Sequence, residues 1–308
     1  RWEERWIKTR RRVSFFFISS SYVNADILGL DWFSDELAEG LEGLSCNILS
    51  IIPKIEASML FYPNLSIRHF YADGYLNKII DQKPLGWQED CTVLRYHNNN
   101  MPLEAGMDAG NMLSLVVGQQ LGREYRVLKE FFTLPPDTVR ELGAQFVRYF
   151  APRRTKVLKL YYDRAMNNYK GVKADMATQI KNAIEYDAEG RRTGWRVQLM
   201  SVGQGNIGSN LEYRFMSDLL SGNLAGKLFS LLIDQYNCPN LKSEMEVTKT
   251  RLVDDGGSQM VVKQKTGDKL PRERLPKEST NLTDALKYLL MRKEFLRIWQ
   301  SKVTSYAP

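Results

Sequence analysis

The chain has 308 residues, 43% of them hydrophobic and 26% charged, which is ordinary for a globular protein and enough for two modest domains. Its longest apolar runs, SFFFIS and NILSII, are far too short to cross a bilayer, and the basic start RWEERWIKTRRRV leads into a short strand rather than a secretory signal. Three scattered cysteines (Cys46, Cys91, Cys238) with no CxxC pair argue against a disulfide framework or a thiolate zinc site, while a net charge of +7 favours a polyanionic partner.

RVSFFFISSS reads as a buried strand ending in small polar residues, and DWFSDELAEGLEG as a short helix stopped by glycine. SIRHFYADGYLNKII predicts a hairpin about Asp73-Gly74, because Asp-Gly suits the primed turns of hairpins. HNNN followed by MP reads as a connector, which sets an expected boundary between residues 1–100 and 101–308. Beyond it, LEAGMDAG, MLSLVVGQQ and REYRVLKEFFT predict three successive strands, with Gly122 in the tight turn between the last two. In PPDTVRELGAQFVRYF, Val139, Leu142, Phe146, Val147 and Phe150 recur at helical spacing, and the prolines suit a helix start. KVLKLYYD is the next strand. VKADMATQIKNAIEYDAEG follows as a helix with Met176, Ala177, Ile180 and Ile184 on one face and Gly190 beyond its end, and GWRVQLMSV as a fifth strand.

Three strands, helix, strand, helix, strand is the order of an RNase H-like fold. That is an α/β architecture whose mixed sheet has three antiparallel strands continuing into parallel ones, flanked by helices. NLEYRFMSDLLSG and PNLKSEMEVTK predict further helices, RLVDDGGSQMVVKQK a hairpin with a Gly-Gly turn, and NLTDALKYLLMRKEFLRIWQ one long closing helix.

With only His69 and His97 as imidazoles, a metal site must be built from carboxylates, whose oxygens favour Mg²⁺ or Mn²⁺. Asp108 ends the first strand of the expected sheet, Asp163 ends the fourth, and Asp284 lies in the first turn of the last helix. Two-metal phosphodiester cleavage needs such acids converging on two divalent ions about 4 Å apart, one activating water and the other stabilising the leaving oxygen. Each acid has a plainer reading. Asp108 stands before Ala109-Gly110 in turn-like sequence, and Asn281-x-x-Asp284 is a relative of the capping box at a helix start. The three together, in order and on these elements, favour a site.

MDAGNMLSLVVGQ, LYYDRAMNNY and STNLTDALKYLL resemble the acidic motifs of the nuclease domain of the large terminase subunit of tailed double-stranded DNA phages. The family's last motif is an Asp in an xxDALxY helix, matched by Asp284-Ala285-Leu286 and Tyr288, and the resemblance covers roughly residues 100 to 300. It implies a metal-dependent endonuclease that cuts concatemeric DNA during genome packaging, with Asp108, Asp163 and Asp284 ligating two Mg²⁺ or Mn²⁺ ions. It also implies double-stranded DNA, a phage portal protein and a small terminase subunit as partners, and a place in the host cytoplasm, docked transiently on the procapsid portal, with no membrane. The family's other half is a packaging ATPase, whose GxxxxGK[ST] is missing here: GNLAGKL, from Gly222, is one residue short and carries Leu228 in place of the hydroxyl. Residues 1–100 are accordingly expected to be the C-terminal part of an ATPase domain plus linker. FFFISSS resembles the ATPase strand that ends in a small polar coupling motif, and the phosphate-binding part is expected before Arg1.

Arg164, beside Asp163, is placed either for a phosphate or for a surface salt bridge. Lys263, Lys265, Lys269, Arg272 and Arg274 form a basic stretch that would guide duplex DNA by phosphate contacts, or would guard an edge strand. Asp234, ending LFSLLID, is either an outer partner of the acidic site or a helix cap before Pro239. Two other functions fit the same residues: a Holliday junction resolvase or transposase-type nuclease of this fold, and a catalytically silent DNA-binding or docking module.

Overall fold

A computed structural model of the protein describes residues 59–167, 175–205, 207–255 and 258–303. The expected strand at RVSFFFISSS, the helix at DWFSDELAEGLEG and the Gly256-Gly257 turn lie outside the described residues.

The first described strand and α-helix are β1 (Phe70–Tyr71) and α1 (Asn77–Asp81). Strands β2 (Leu103–Ala109), β3 (Leu113–Leu121) and β4 (Glu124–Thr133) follow as an antiparallel meander. Then α2 (Val139–Tyr149), β5 (Val157–Tyr162), α3 (Met176–Glu185) and β6 (Arg196–Leu199) alternate, with β5 and β6 parallel to β2. Helix α4 (Ser209–Ser221), β7 (Ser230–Asp234) and α5 (Pro239–Val247) lead to the hairpin β8 (Thr250–Asp255) and β9 (Ser258–Lys263). Helices α6 (Leu275–Glu278), α7 (Asn281–Leu290) and α8 (Lys293–Val303) close the chain. The seven-stranded sheet has the order β1-β7-β4-β3-β2-β5-β6. Its inner part, β4-β3-β2-β5-β6, is the RNase H-like sheet, and β7 and β1 extend it in parallel beyond β4.

Alternation along β2 sorts its residues between two layers. Leu103, Ala105 and Met107 enter one core with Val139, Leu142 and Phe146 of α2 and Ala177, Ile180 and Ile184 of α3. Asp175 caps α3, its carboxylate accepting from the Thr178 amide at 2.7 Å. Glu104, Gly106 and Asp108 face the other way, towards α7, which packs in a second core with α4, α5 and α8. A Cβ on Gly106 would come within 1.9 Å of the Ala285 carbonyl oxygen, so only glycine lets α7 lie this close to β2. That close crossing brings Asp284 over the sheet.

The structure departs from the sequence expectations in particular places. No hairpin forms at Asp73-Gly74: Phe70–Tyr71 pairs in parallel with Ile233–Asp234, and Asp73 accepts hydrogen bonds from Arg95 and Tyr96. Gly74 is needed for contact rather than for a turn, since a Cβ there would meet the Asp234 carboxylate at 1.9 Å. LFSLLID contributes β7, a parallel strand between β1 and β4. The closing helix is two helices, because Arg292 turns inward between them to donate to Glu104 at 2.7 Å and to the Tyr161 hydroxyl at 2.8 Å. Phe61 and Tyr62 are buried in the α7-side core and β1 extends the sheet, so these parts of residues 59–100 pack together with the rest of the sheet.

Candidate active site

Asp108 and Asp163 are set side by side by strand register. β2 pairs in parallel with β5 through Met107 opposite Tyr162, so the next residue on each chain is an aspartate. The two backbones are therefore about one strand spacing apart, roughly 4.8 Å. Asp284 approaches from above in the first turn of α7. That turn is capped neither by its own N-cap Thr280 nor by the box expected around Asn281. Instead Glu244 of α5 accepts from the Thr283 amide and the Ser279 hydroxyl, both at 2.9 Å, and Asp268 accepts from the Thr280 amide at 2.8 Å.

The three carboxylates sit in different electrostatic surroundings. Asp108 is buried, with no hydrogen-bond or ion-pair partner among the described residues. Burial and then the neighbouring Asp284 charge push its pKa up to about 7, with a smaller contribution from Asp163 and opposition from Lys287 and Lys265. Burial alone would also raise Asp284, but Lys263, Lys287 and Lys265 overcome it and hold that carboxyl far below the usual range. Lys263 reaches Oδ1 at 2.8 Å and Lys287 reaches it at 3.2 Å, while Lys265 reaches Oδ2 at 2.7 Å. Asp163 is half-buried, accepts the Ala165 amide at 3.0 Å and lines a small cleft with Tyr288. Burial, reinforced by Asp108, Asp163 and Asp284, keeps the Tyr288 phenol neutral.

A divalent cation suits the chemistry of this set. Three hard oxygen donors come from two neighbouring strands and a crossing helix, and Asp108 has no permanent partner among the described residues. Ser114 lies directly across from Asp108 on β3 and is fully buried with its hydroxyl unpaired, so it can donate to a carboxylate held by an ion. Among the described residues no three His, Cys, Asp or Glu side chains are already disposed to hold a metal. Both oxygens of Asp284 are engaged by lysines. Lys265 is the exchangeable one, with 56% of its side chain exposed.

The remaining expected residues divide. Arg164 is exposed and lines a small cleft with Asp163, Gln204, Ile207 and Tyr288. Lys269 and Arg272 are also exposed, Arg272 donating to the Leu134 carbonyl at 3.3 Å. Lys263 is not on a DNA-facing edge: only 2% of its side chain is exposed, because it is held between Glu212 and Asp284. Arg274 pairs with Glu278. Asp234 lies at the end of β7, and β4 and β3 separate that strand from β2, so it stands roughly 14 Å away across the sheet. Its carboxylate is satisfied locally by the Tyr236 and Asn237 amides and the Asn237 side chain. Sequence reasoning missed Glu212, Lys287 and Ser114. Of these only Lys287 had a local signal, three residues after Asp284 on the same helix face.

No protein-family model and no curated protein matches the chain. Among solved structures it is similar to the large terminase from a thermophilic bacteriophage in complex with ATP-γ-S: 12% identity, 85% of this chain, 52% of that one, TM-score 0.45. The chain therefore spans about half the length of that terminase. It is also similar to the large terminase nuclease domain from bacteriophage SPP1 with bound Mn: 15% identity, 62% of this chain, 85% of that one, TM-score 0.37. The P22 large terminase nuclease domain is 12% identical over 65% of this chain and 84% of its own, TM-score 0.40. All three are large terminases, the family whose acidic motifs this sequence resembles.

Proposed function

We propose that the chain is a divalent-metal-dependent DNA endonuclease, the nuclease part of a phage packaging terminase. What supports this reading is that Asp108 and Asp163 follow paired residues of the adjacent strands β2 and β5, while Asp284 lies in the first turn of the helix that crosses β2. When bound, two Mg²⁺ or Mn²⁺ ions would supply an activated water and stabilise the charge building on the phosphodiester. Asp108, Asp163 and Asp284 would hold them as ligands rather than as proton-transfer groups. Lys265 would leave Asp284 Oδ2 for the groove, where with Arg164, Lys269 and Arg272 it would meet phosphates of double-stranded DNA. Tyr288, lining the same cleft as Asp163, would help to keep that carboxylate oriented. The portal protein, the small terminase subunit and the docked cytoplasmic location belong to this proposal through the motif resemblance; among the described residues no helix is long and apolar enough to cross a membrane.

A second reading starts from the lysines on Asp284: if they are never displaced, the fold is a silent DNA-docking module. Supercoiled plasmid, incubated with Mn²⁺, Mg²⁺ or EDTA and compared with Asp163→Asn, separates the two. The nuclease reading expects metal-dependent nicking and linearisation that the variant loses. DNA binding without cleavage in any metal would establish the docking module instead.

A further inference from the structure

Behind Asp284 lies a buried ion-pair cluster that the cleavage chemistry does not use. Lys263, at the end of β9, places its ammonium 2.5 Å from Glu212 Oε1, 2.8 Å from Asp284 Oδ1 and 3.3 Å from the Thr283 hydroxyl. These three oxygens use all three donors of the ammonium. Glu212 comes from the first turn of α4 and Asp284 from the first turn of α7, so one lysine ties the hairpin base to both helices. The side chains of Lys263 and Glu212 are each 2% exposed, and the Lys263 ammonium lies against the rings of Phe61 and Tyr62. Lys287 completes the group, 3.2 Å from Asp284 and 3.9 Å from Glu212.

The charges in this cluster balance in a way that matters for a cation. With Lys265 released, two lysines face two carboxylates, and Asp108 and Asp163 remain as the net negative charge offered to an ion. Without Glu212, Lys263 would have Asp284 as its only ion-paired carboxylate, with the buried Glu244 acting on it from farther off, and the cluster would lose one negative charge. We propose that Glu212 is a positioning residue for the metal site: as counter-charge to the buried Lys263, it lets that lysine hold Asp284 in place without cancelling the charge Asp284 brings to a divalent ion. The proposal rests on the nuclease reading and assigns a role to a residue that contacts neither the expected ions nor DNA.

The test is Mn²⁺ binding to the whole chain, measured by electron paramagnetic resonance, with thermal melts of every variant in EDTA. Glu212→Gln, which keeps the volume and removes the charge, is expected to bind Mn²⁺ about tenfold more weakly. Adding Lys263→Met to it removes the unbalanced cation and is expected to restore affinity to within about threefold of the parent chain. A purely structural ion pair would lower the melting temperature of Glu212→Gln and leave its Mn²⁺ affinity unchanged, and that result would overturn the proposal. Should Glu212→Gln fail to fold, the charge-neutral double variant decides alone: a loss of more than about tenfold overturns it. A parent chain that binds no Mn²⁺ overturns the nuclease reading and this proposal with it, whereas binding by the parent together with an indifferent Glu212→Gln overturns only this one.

Discussion

Two carboxylates on one face of β2, four residues apart, have opposite fates. Glu104 is buried and fully partnered: Arg292 donates to Oε1 at 2.7 Å and the Tyr125 hydroxyl to Oε2 at 2.9 Å. Asp108 is equally buried but faces two other acids, with no permanent partner among the described residues. Burial alone therefore does not mark a functional acid in this protein. What separates the two ends of the strand is whether the fold itself neutralises the charge or leaves that to something that must arrive from solution.

The sharpest way to break this contrast is to remove each acid in turn and unfold the metal-free protein in urea. Glu104→Ala strands the Arg292 guanidinium, which is 7% exposed, and is expected to cost about 3–5 kcal/mol at neutral pH. Asp108→Asn is expected to act in the opposite direction, stabilising the protein at pH 8 by roughly 1–3 kcal/mol. The sign follows from the raised pKa. The folded state holds the Asp108 proton more tightly than the unfolded chain does, so the contribution of Asp108 is best at low pH and is lost as pH rises from near 4 through about 7. The advantage of Asp108→Asn should therefore shrink as the titration is repeated downward through that window. An equal penalty for both substitutions at pH 8 would erase the distinction.

A smaller effect probes the exchangeable lysine. Lys265→Ala removes the cation from Asp284 Oδ2 and is expected to tighten Mn²⁺ binding by about threefold in calorimetry, since an ion pair with one partner exposed to solvent holds only modestly. Weaker binding would show that Lys265 supports the site rather than competes for it.

Much of this arrangement was legible in the sequence, and the exceptions have physical causes. The alternation Leu103-Glu104-Ala105-Gly106-Met107-Asp108 defines both the strand and its polar face, and an Asp closing each of two expected strands locates two of the acids. The mostly apolar run before Asp234 has no clear period, so its identity as a parallel strand appears only through its pairing with β4 and β1. The helical pattern continues past Met291, yet the bond from Arg292 to Glu104, far away in the chain, ends α7 there. Lys263 and Glu212 left no local trace, because an ion pair between residues so distant in sequence has no spacing rule. A basic hairpin read as surface thus turned out to contribute a core cation.

The most direct test of the central claim is diffraction from crystals soaked in Mn²⁺, collected at the manganese absorption edge. The account expects anomalous peaks about 2.1 Å from oxygens of Asp108, Asp163 and Asp284, with the Lys265 ammonium moved away from Asp284. Manganese found only elsewhere, or absent with Lys265 still on Asp284 Oδ2, would contradict a shared metal site and leave the fold as a DNA-docking scaffold.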